Sequence, residues 1–478
     1  MKKTIFLALF AIVAILPARL VLGLGGPSFA SEPHSIGVVQ PSDAFPIDQS
    51  DRLPMERFYL SVPELRSVPN GRRIELPVIV FGAPSADDRA PVVMLSGGPG
   101  TDGVLAARYP GAYPWVGERD FVVFGQRGTH YAKPALMCPQ FPQALRQGDP
   151  LSIQVEAVKS CRDGLRQAGV NLAAYNSAES ARDIEDLRRA LGADKLILYG
   201  LSYGSRLALA YARQFPENVE ALVLDSPLPF AADFDNELAG NVENVLQAIA
   251  NRCAKQSECA SQFPELWPDF AQAIEQLEQT SEPGAEPIAS QVALTIAPGS
   301  AADIAKAPAL MAAAASGDLT PFVSEPTPIQ PSNFAWGMRL SVWCSETGSL
   351  ASSPAQAPFA GIYAPTFDQR LCDAWDVPGR PEGEVKDPSG DYPLLILAGE
   401  YDVITPPQWG ARLLSGHTNA RLITVPAGLH GVTTNWGGTG CAMSIAGAFI
   451  AAPEDFLERF VPAECLTAEP YPDFSLDR

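Results

Sequence analysis

The chain has 478 residues, 46% apolar and 18% charged, which allows one large packed domain with an insertion, or two domains, and excludes global disorder. Its formal charge of −20 repels phosphate backbones, so nucleic acid is set aside as a partner and the acidity reads as a solubility feature.

In chain order, residues 1–30 come first and read as a signal peptide. Lys2 and Lys3 precede an apolar run over 5–16, and Ser28-Phe29-Ala30 has the small-x-small form of a cleavage site. The run falls short of the roughly 20 apolar residues of a bilayer span, so an uncleaved anchor is the lesser reading. No stable membrane insertion is expected after cleavage. The segment carries Lys2, Lys3 and Arg19 and no acid, so its loss leaves the chain more acidic by those three charges.

All eight cysteines lie beyond this segment, as expected for disulfides in an oxidising compartment, and a secreted or periplasmic location follows. Their order suggests pairing of neighbours: Cys138 with Cys161, Cys253 with Cys259, Cys344 with Cys372, and Cys441 with Cys465. None shows zinc-ligand spacing, and neither a metal nor an organic cofactor is implied.

The polar, proline-containing stretch 32–57 reads as irregular. Residues 58–62 and the alternating Ile74, Leu76, Val78 and Val80 then read as an antiparallel strand pair, with Asn70-Gly71 as a tight turn. Unbroken apolar runs follow at 91–95, 121–124, 196–200, 221–224, 394–398 and 422–425. Such runs, interleaved with helical spacing, predict an α/β fold with a mostly parallel sheet covered on both faces. Ala178, Ala181, Ile184, Leu187 and Leu191 supply one helix face, with Ser177 as its N-cap and Gly192 just past its end.

About 170 residues separate the fourth and fifth of these runs, too many for a simple crossover. The division expected is a first sheet portion over 31–229, a mainly helical cap insertion over 230–387, and a second sheet portion over 388–478.

Chemistry concentrates at the ends of the strands. Gly200-Leu201-Ser202-Tyr203-Gly204 follows one apolar run and opens a helix, the setting in which a serine hydroxyl is exposed on a tight turn. Ser96-Gly97-Gly98-Pro99-Gly100 follows another and can offer Gly98 N–H, with Gly97 as its rival, beside Tyr203 N–H to a developing oxyanion. A serine needs a base and a group to orient that base. Of four histidines, His430 lies in a loop after the last strand, whereas His34, His130 and His417 lie elsewhere. Asp402 is the preferred acid, with Thr405-Pro406 starting the next helix; Asp225 reads as structural. The order Ser202, Asp402, His430 is that of α/β hydrolases.

Together with Gln126-Arg127-Gly128-Thr129, Asp402-Val403-Ile404-Thr405-Pro406 and Gly428-Leu429-His430-Gly431, these motifs resemble the prolyl iminopeptidase and tripeptidyl aminopeptidase family, and its secreted branch most closely. The resemblance covers nearly all of the chain beyond residue 30. It implies the α/β-hydrolase fold and removal of residues or short peptides from free amino termini. Three positions depart from the family: Gly125 replaces an aspartate, His130 a glycine, and Ser96 a histidine. A substrate ammonium would need a carboxylate, for which Glu346 is the candidate and Asp233, Asp235 and Glu237 are rivals. The expected function is therefore a secreted serine exopeptidase. A carboxylic ester hydrolase with the same triad is one alternative, and a catalytically silent hydrolase-like binding protein is another, disfavoured because nucleophile, base, acid and glycine-rich loop are all present.

Overall fold

Among the described residues, nine strands make one sheet. In chain order they are β1 (Gly37–Val39), β2 (Glu56–Pro63), β3 (Arg73–Phe81), β4 (Val92–Leu95), β5 (Phe121–Phe124), β6 (Leu196–Leu201), β7 (Val219–Asp225), β8 (Leu394–Gly399) and β9 (Ala420–Val425). The computed structural model describes residues 37–39, 53, 55–68, 70–83, 89–146, 150–280, 288–322, 333–347, 369–434, 440–467 and 471–476. The expected signal peptide lies outside them.

The spatial order is β1-β2-β3-β5-β4-β6-β7-β8-β9. Pairing is antiparallel from β1 to β5 and parallel across the other joints. The chain thus passes from β4 outward to β5 and then returns to β6 on the opposite side of β4. Loops leaving β4 and β6 diverge at such a reversal and open a crevice at the carboxyl ends of the strands. Leu95 pairs with Gly200, so the glycine-rich loop and the Ser202 turn leave the sheet side by side.

The helices are α1 (Gln140–Arg146), α2 (Leu151–Gln167), α3 (Ser177–Ala190), α4 (Tyr203–Gln214), α5 (Phe234–Lys255), α6 (Ser257–Gln262), α7 (Leu266–Thr280), α8 (Ile288–Ile296), α9 (Ala301–Ala315), α10 (Trp336–Glu346), α11 (Gln369–Trp375), α12 (Pro407–Leu414), α13 (Cys441–Ala451), α14 (Pro453–Arg459) and α15 (Glu464–Thr467). Both faces of the sheet are covered, which is why its inner strands are apolar without alternation. On one face Val93, Leu198, Leu222 and Ile396 share a core with Leu207, Trp343 and Trp409. On the other, Ile197, Val223, Leu395 and Leu397 pack with Ala446, Phe449 and Ile450 of α13.

Among the described residues seven helices, α5 to α11, lie between β7 and β8, of which α10 and α11 pack into the first core through Met338, Trp343, Leu371 and Trp375. Val242, Leu246 and Ile249 of α5, Phe270 and Ile274 of α7, and Ile304 and Met311 of α9 form a third core. Tyr401 and Leu429, from the loops after β8 and β9, belong to it, so this helical layer rests on the two loops that carry Asp402 and His430. Disulfides join Cys138 to Cys161, Cys253 to Cys259, Cys344 to Cys372 and Cys441 to Cys465. Among the described residues, no helix is long and apolar enough to cross a membrane.

Local readings shift in three places. The stretch read as irregular holds β1, which pairs with β2. Asn70 does adopt a positive φ of 60°, but within a longer connection between β2 and β3 than a two-residue turn. The N-cap of α3 is Asn176, whose side chain accepts from Glu179 N–H, and Ser177 is the first helical residue.

Candidate active site

β6 ends in a turn that reverses directly into α4, and Ser202 occupies it with φ 56° and ψ −123°. A non-glycine residue in that region is strained, and surrounding contacts must hold it. Here Ser202 N–H donates to Asp225 O at 2.9 Å, while Ser205 N–H and hydroxyl both donate to Ser202 O. Packing forces Gly204 as well, because a Cβ there would stand 1.9 Å from Leu95 O. The sequence pattern at the turn therefore has a steric cause.

Asp402 follows β8 and is buried, at 1% exposure. Its Oδ1 accepts from Ile404 N–H at 2.8 Å and Thr405 N–H at 2.9 Å; its Oδ2 accepts from the Thr405 hydroxyl at 2.7 Å and from His430 Nδ1–H at 2.9 Å. The last contact fixes the imidazole tautomer and leaves Nε2 as the free ring nitrogen. Burial pushes the His430 pKa down, but the charge and hydrogen bond of Asp402, with the charge of Asp225 behind them, leave it raised above 6.5.

Asp225 is not the group that meets His430. It is fully buried and accepts from Val432 N–H, Thr433 N–H, and the Ser226 and Thr433 hydroxyls, which pins the segment after His430 to the end of β7. Burial pushes its carboxyl up. Ser226, next to it, accepts from Gly431 N–H at 2.8 Å. A Cβ on Gly431 would lie 3.4 Å from Leu201 Cδ1, so the histidine loop lies against the serine turn. Among the described residues no hydrogen bond joins the Ser202 hydroxyl to His430; such contacts commonly tighten only when substrate is bound.

The glycine-rich loop lies on the other flank of Ser202. A Cβ on Gly97 would stand 2.9 Å from Ser202 Cβ and 3.4 Å from its Oγ. Among the described residues, the N–H groups of Gly97, Gly98 and Tyr203 have no acceptor. Backbone N–H groups without an acceptor near a serine hydroxyl are the kind of donors that can hold an oxyanion. Gln126 steadies the loop by donating to Ser96 O at 2.9 Å, and Arg127 clamps the same turn to α3 through a bidentate pair with Asp183, both contacts 2.7 Å. The departure at Gly125 is explained by Asp102: a Cβ at 125 would meet the Asp102 carboxylate at 2.7 Å, which occupies that space and accepts from Val104 and Tyr131 N–H.

Glu346, the expected partner of a substrate ammonium, has a neighbour in the structure. Both oxygens of Glu346 are engaged by Ser177, Oε1 by its N–H at 2.5 Å and Oε2 by its hydroxyl at 2.8 Å, and the residue is buried. This carboxylate anchors α10 to the start of α3. Asp233 caps α5, and Glu237 is held by Arg412 and by Trp409 Nε1–H. The side chain of Asp235 lies outside the described residues. Sequence reading also missed Thr405, taken for a helix cap: α12 starts later, capped at Pro406, and the Thr405 hydroxyl goes to Asp402. A threonine three residues after an aspartate is a spacing at which such side chains bond locally, and this was the available signal.

A model of the α/β hydrolase fold matches residues 90–262, and a model of TAP-like proteins matches 357–455. Serine protease Hip1 of Mycobacterium tuberculosis is 31% identical over 247 residues, 48% of this chain and 46% of that protein, so the match spans about half the length of that relative. The tripeptidyl aminopeptidase of Streptomyces lividans is 25% identical over 433 residues, 80% of this chain and 79% of its own. A proline iminopeptidase of Lactobacillus delbrueckii subsp. bulgaricus is 27% identical over 154 residues, 32% of this chain and 41% of its own. The two models between them take in every strand of the parallel part of the sheet, and the reversal beside β4 puts a serine turn where that fold carries its chemistry. The chain has the α/β-hydrolase fold.

Proposed function

We propose that the protein is a serine hydrolase that releases residues or short peptides from free amino termini, with Ser202 as nucleophile, His430 as base and Asp402 as its orienting acid. The observation that carries this reading is the Asp402–His430 pair, 2.9 Å apart, on loops packed against a strained serine turn.

With Nδ1–H directed at Asp402, His430 Nε2 takes the Ser202 proton as the serine oxygen bonds to the substrate carbonyl carbon. The carbonyl oxygen becomes an oxyanion held by Tyr203 N–H and by Gly98 N–H, with Gly97 as the rival donor. His430 then passes its proton to the leaving nitrogen, the C–N bond breaks, and water repeats the sequence on the acyl-enzyme. Peptide over ester as substrate is supported by the named activity of the Streptomyces relative, whose match runs through most of both chains. The four disulfides support a secreted or periplasmic setting.

Hydrolysis of tripeptidyl anilides with free and acetylated amino termini, beside short-chain p-nitrophenyl esters, tests the reading. Free-terminus anilides are expected to be cleaved at least tenfold faster than blocked ones. Equal rates would refute the exopeptidase assignment, and turnover of esters alone would move the protein to the ester hydrolases.

A further inference from the structure

The helical insertion reaches back to the glycine-rich loop at the start of α10. Ala335 N–H donates to Gly100 O at 2.9 Å, and a Cβ on either Gly98 or Gly100 would come within 3.2 Å of the Phe334 ring. One turn further, Arg339 Nη1 donates to Gly98 O at 2.6 Å, bridging 241 residues of sequence. Its guanidinium lies 5.2 Å from the centroid of the Trp343 ring, one helical turn along, which restricts its rotamers.

Gly98 sits at φ +114°, a conformation glycine tolerates and other residues avoid, so no side chain of its own fixes its peptide planes. A charge-assisted bond to its carbonyl oxygen holds, from outside, the Gly98–Pro99 peptide that follows the Gly98 N–H. Two turns beyond Arg339, Glu346 accepts the Ser177 hydroxyl proton, and that hydroxyl is 2.8 Å from the Tyr203 hydroxyl. With its own proton committed to Glu346, Ser177 Oγ accepts from Tyr203. One helix therefore holds both backbone segments whose N–H groups lack an acceptor.

We propose that Arg339 is a positioning residue for the oxyanion hole, so that the insertion, through α10, sets the aim of the Gly97 and Gly98 donors. This rests on the serine-hydrolase reading above. Donors already aligned need no reorganisation as charge develops, so Arg339 acts on the transition state more than on bound substrate. Its loss lowers kcat and leaves KM nearly unchanged.

The test compares the wild type with Arg339→Lys and Arg339→Ala on one free-terminus tripeptidyl anilide, with thermal unfolding of each. Labelling of the wild type by a fluorophosphonate is measured first, since its absence overturns the hydrolase reading itself. With labelling present, kcat is expected to fall about 10–100-fold in Arg339→Ala, less in Arg339→Lys, with KM within twofold. Methylguanidinium added to Arg339→Ala is expected to restore part of kcat, which a general loss of structure would not allow. If the alanine variant does not fold, Arg339→Lys carries the comparison alone. Unchanged kcat in folded variants, or a loss confined to KM without rescue, overturns the proposal.

Discussion

Asp402 accepts four hydrogen bonds, and those contacts govern how His430 behaves. Three come from residues 404 and 405, so the carboxylate is aimed before the imidazole meets it. Because Asp402 raises the His430 pKa above 6.5, the neutral base is populated only at higher pH, and kcat/KM should rise with pH through an inflection above that value. In Asp402→Asn the push from burial is no longer offset to the same extent, so the inflection should move down. The same change should lower kcat by on the order of 10³–10⁴-fold, since the tautomer is no longer fixed. A pH–rate profile of both proteins checks this, and an inflection that does not move would disconnect Asp402 from the base. Ser202, Asp402 and His430 could be picked out from sequence because each stands just past an apolar run, where local pattern carries the information. The partners of Glu346 could not: Ser177 lies 169 residues away, and a buried glutamate at the end of a helix looks, in sequence, like a solvated one.

Elements were legible in proportion to how much of their cause is local. The inner strands are apolar on both faces because helices cover both, and that signal survives without knowledge of partners. Helix starts slipped by about a residue at α3 and α12, since Ser177 and Thr405 bond to groups outside their own helices. The turn after β5 shows the same limit. Gln126-Arg127-Gly128 stood out as a motif, yet its work is structural: Arg127 is fully buried, pairs with Asp183, and also donates to Glu64 O and Ala174 O. Arg127→Met would leave Asp183 with Arg66 as its remaining ion-pair partner, at 2.8 Å. A loss of about 3 kcal/mol is expected, at the low end for breaking a buried pair because of that second arginine. Urea unfolding measures it, and a change under 1 kcal/mol would mean that the turn is held by its backbone alone.

At the scale of the molecule, the insertion and the sheet meet at the candidate site. Tyr401 and Leu429 are buried in the core of the insertion while their neighbours Asp402 and His430 face each other below it. The last described segment adds a tie: Tyr471 donates to Glu400 Oε2, which also accepts from Ala427 N–H, and the Arg252 guanidinium of α5 lies 4.5 Å from the Tyr471 ring centroid and 4.3 Å from that of Phe474. This arrangement was not legible, because it joins segments far apart in the chain. What the whole account requires is that Ser202 be the activated nucleophile. Intact-mass and peptide mapping after exposure to a fluorophosphonate tests that most directly. A single adduct on the peptide containing Ser202, absent in Ser202→Ala and strongly slowed in His430→Ala, is the predicted result; no adduct, or one on another serine, would contradict it.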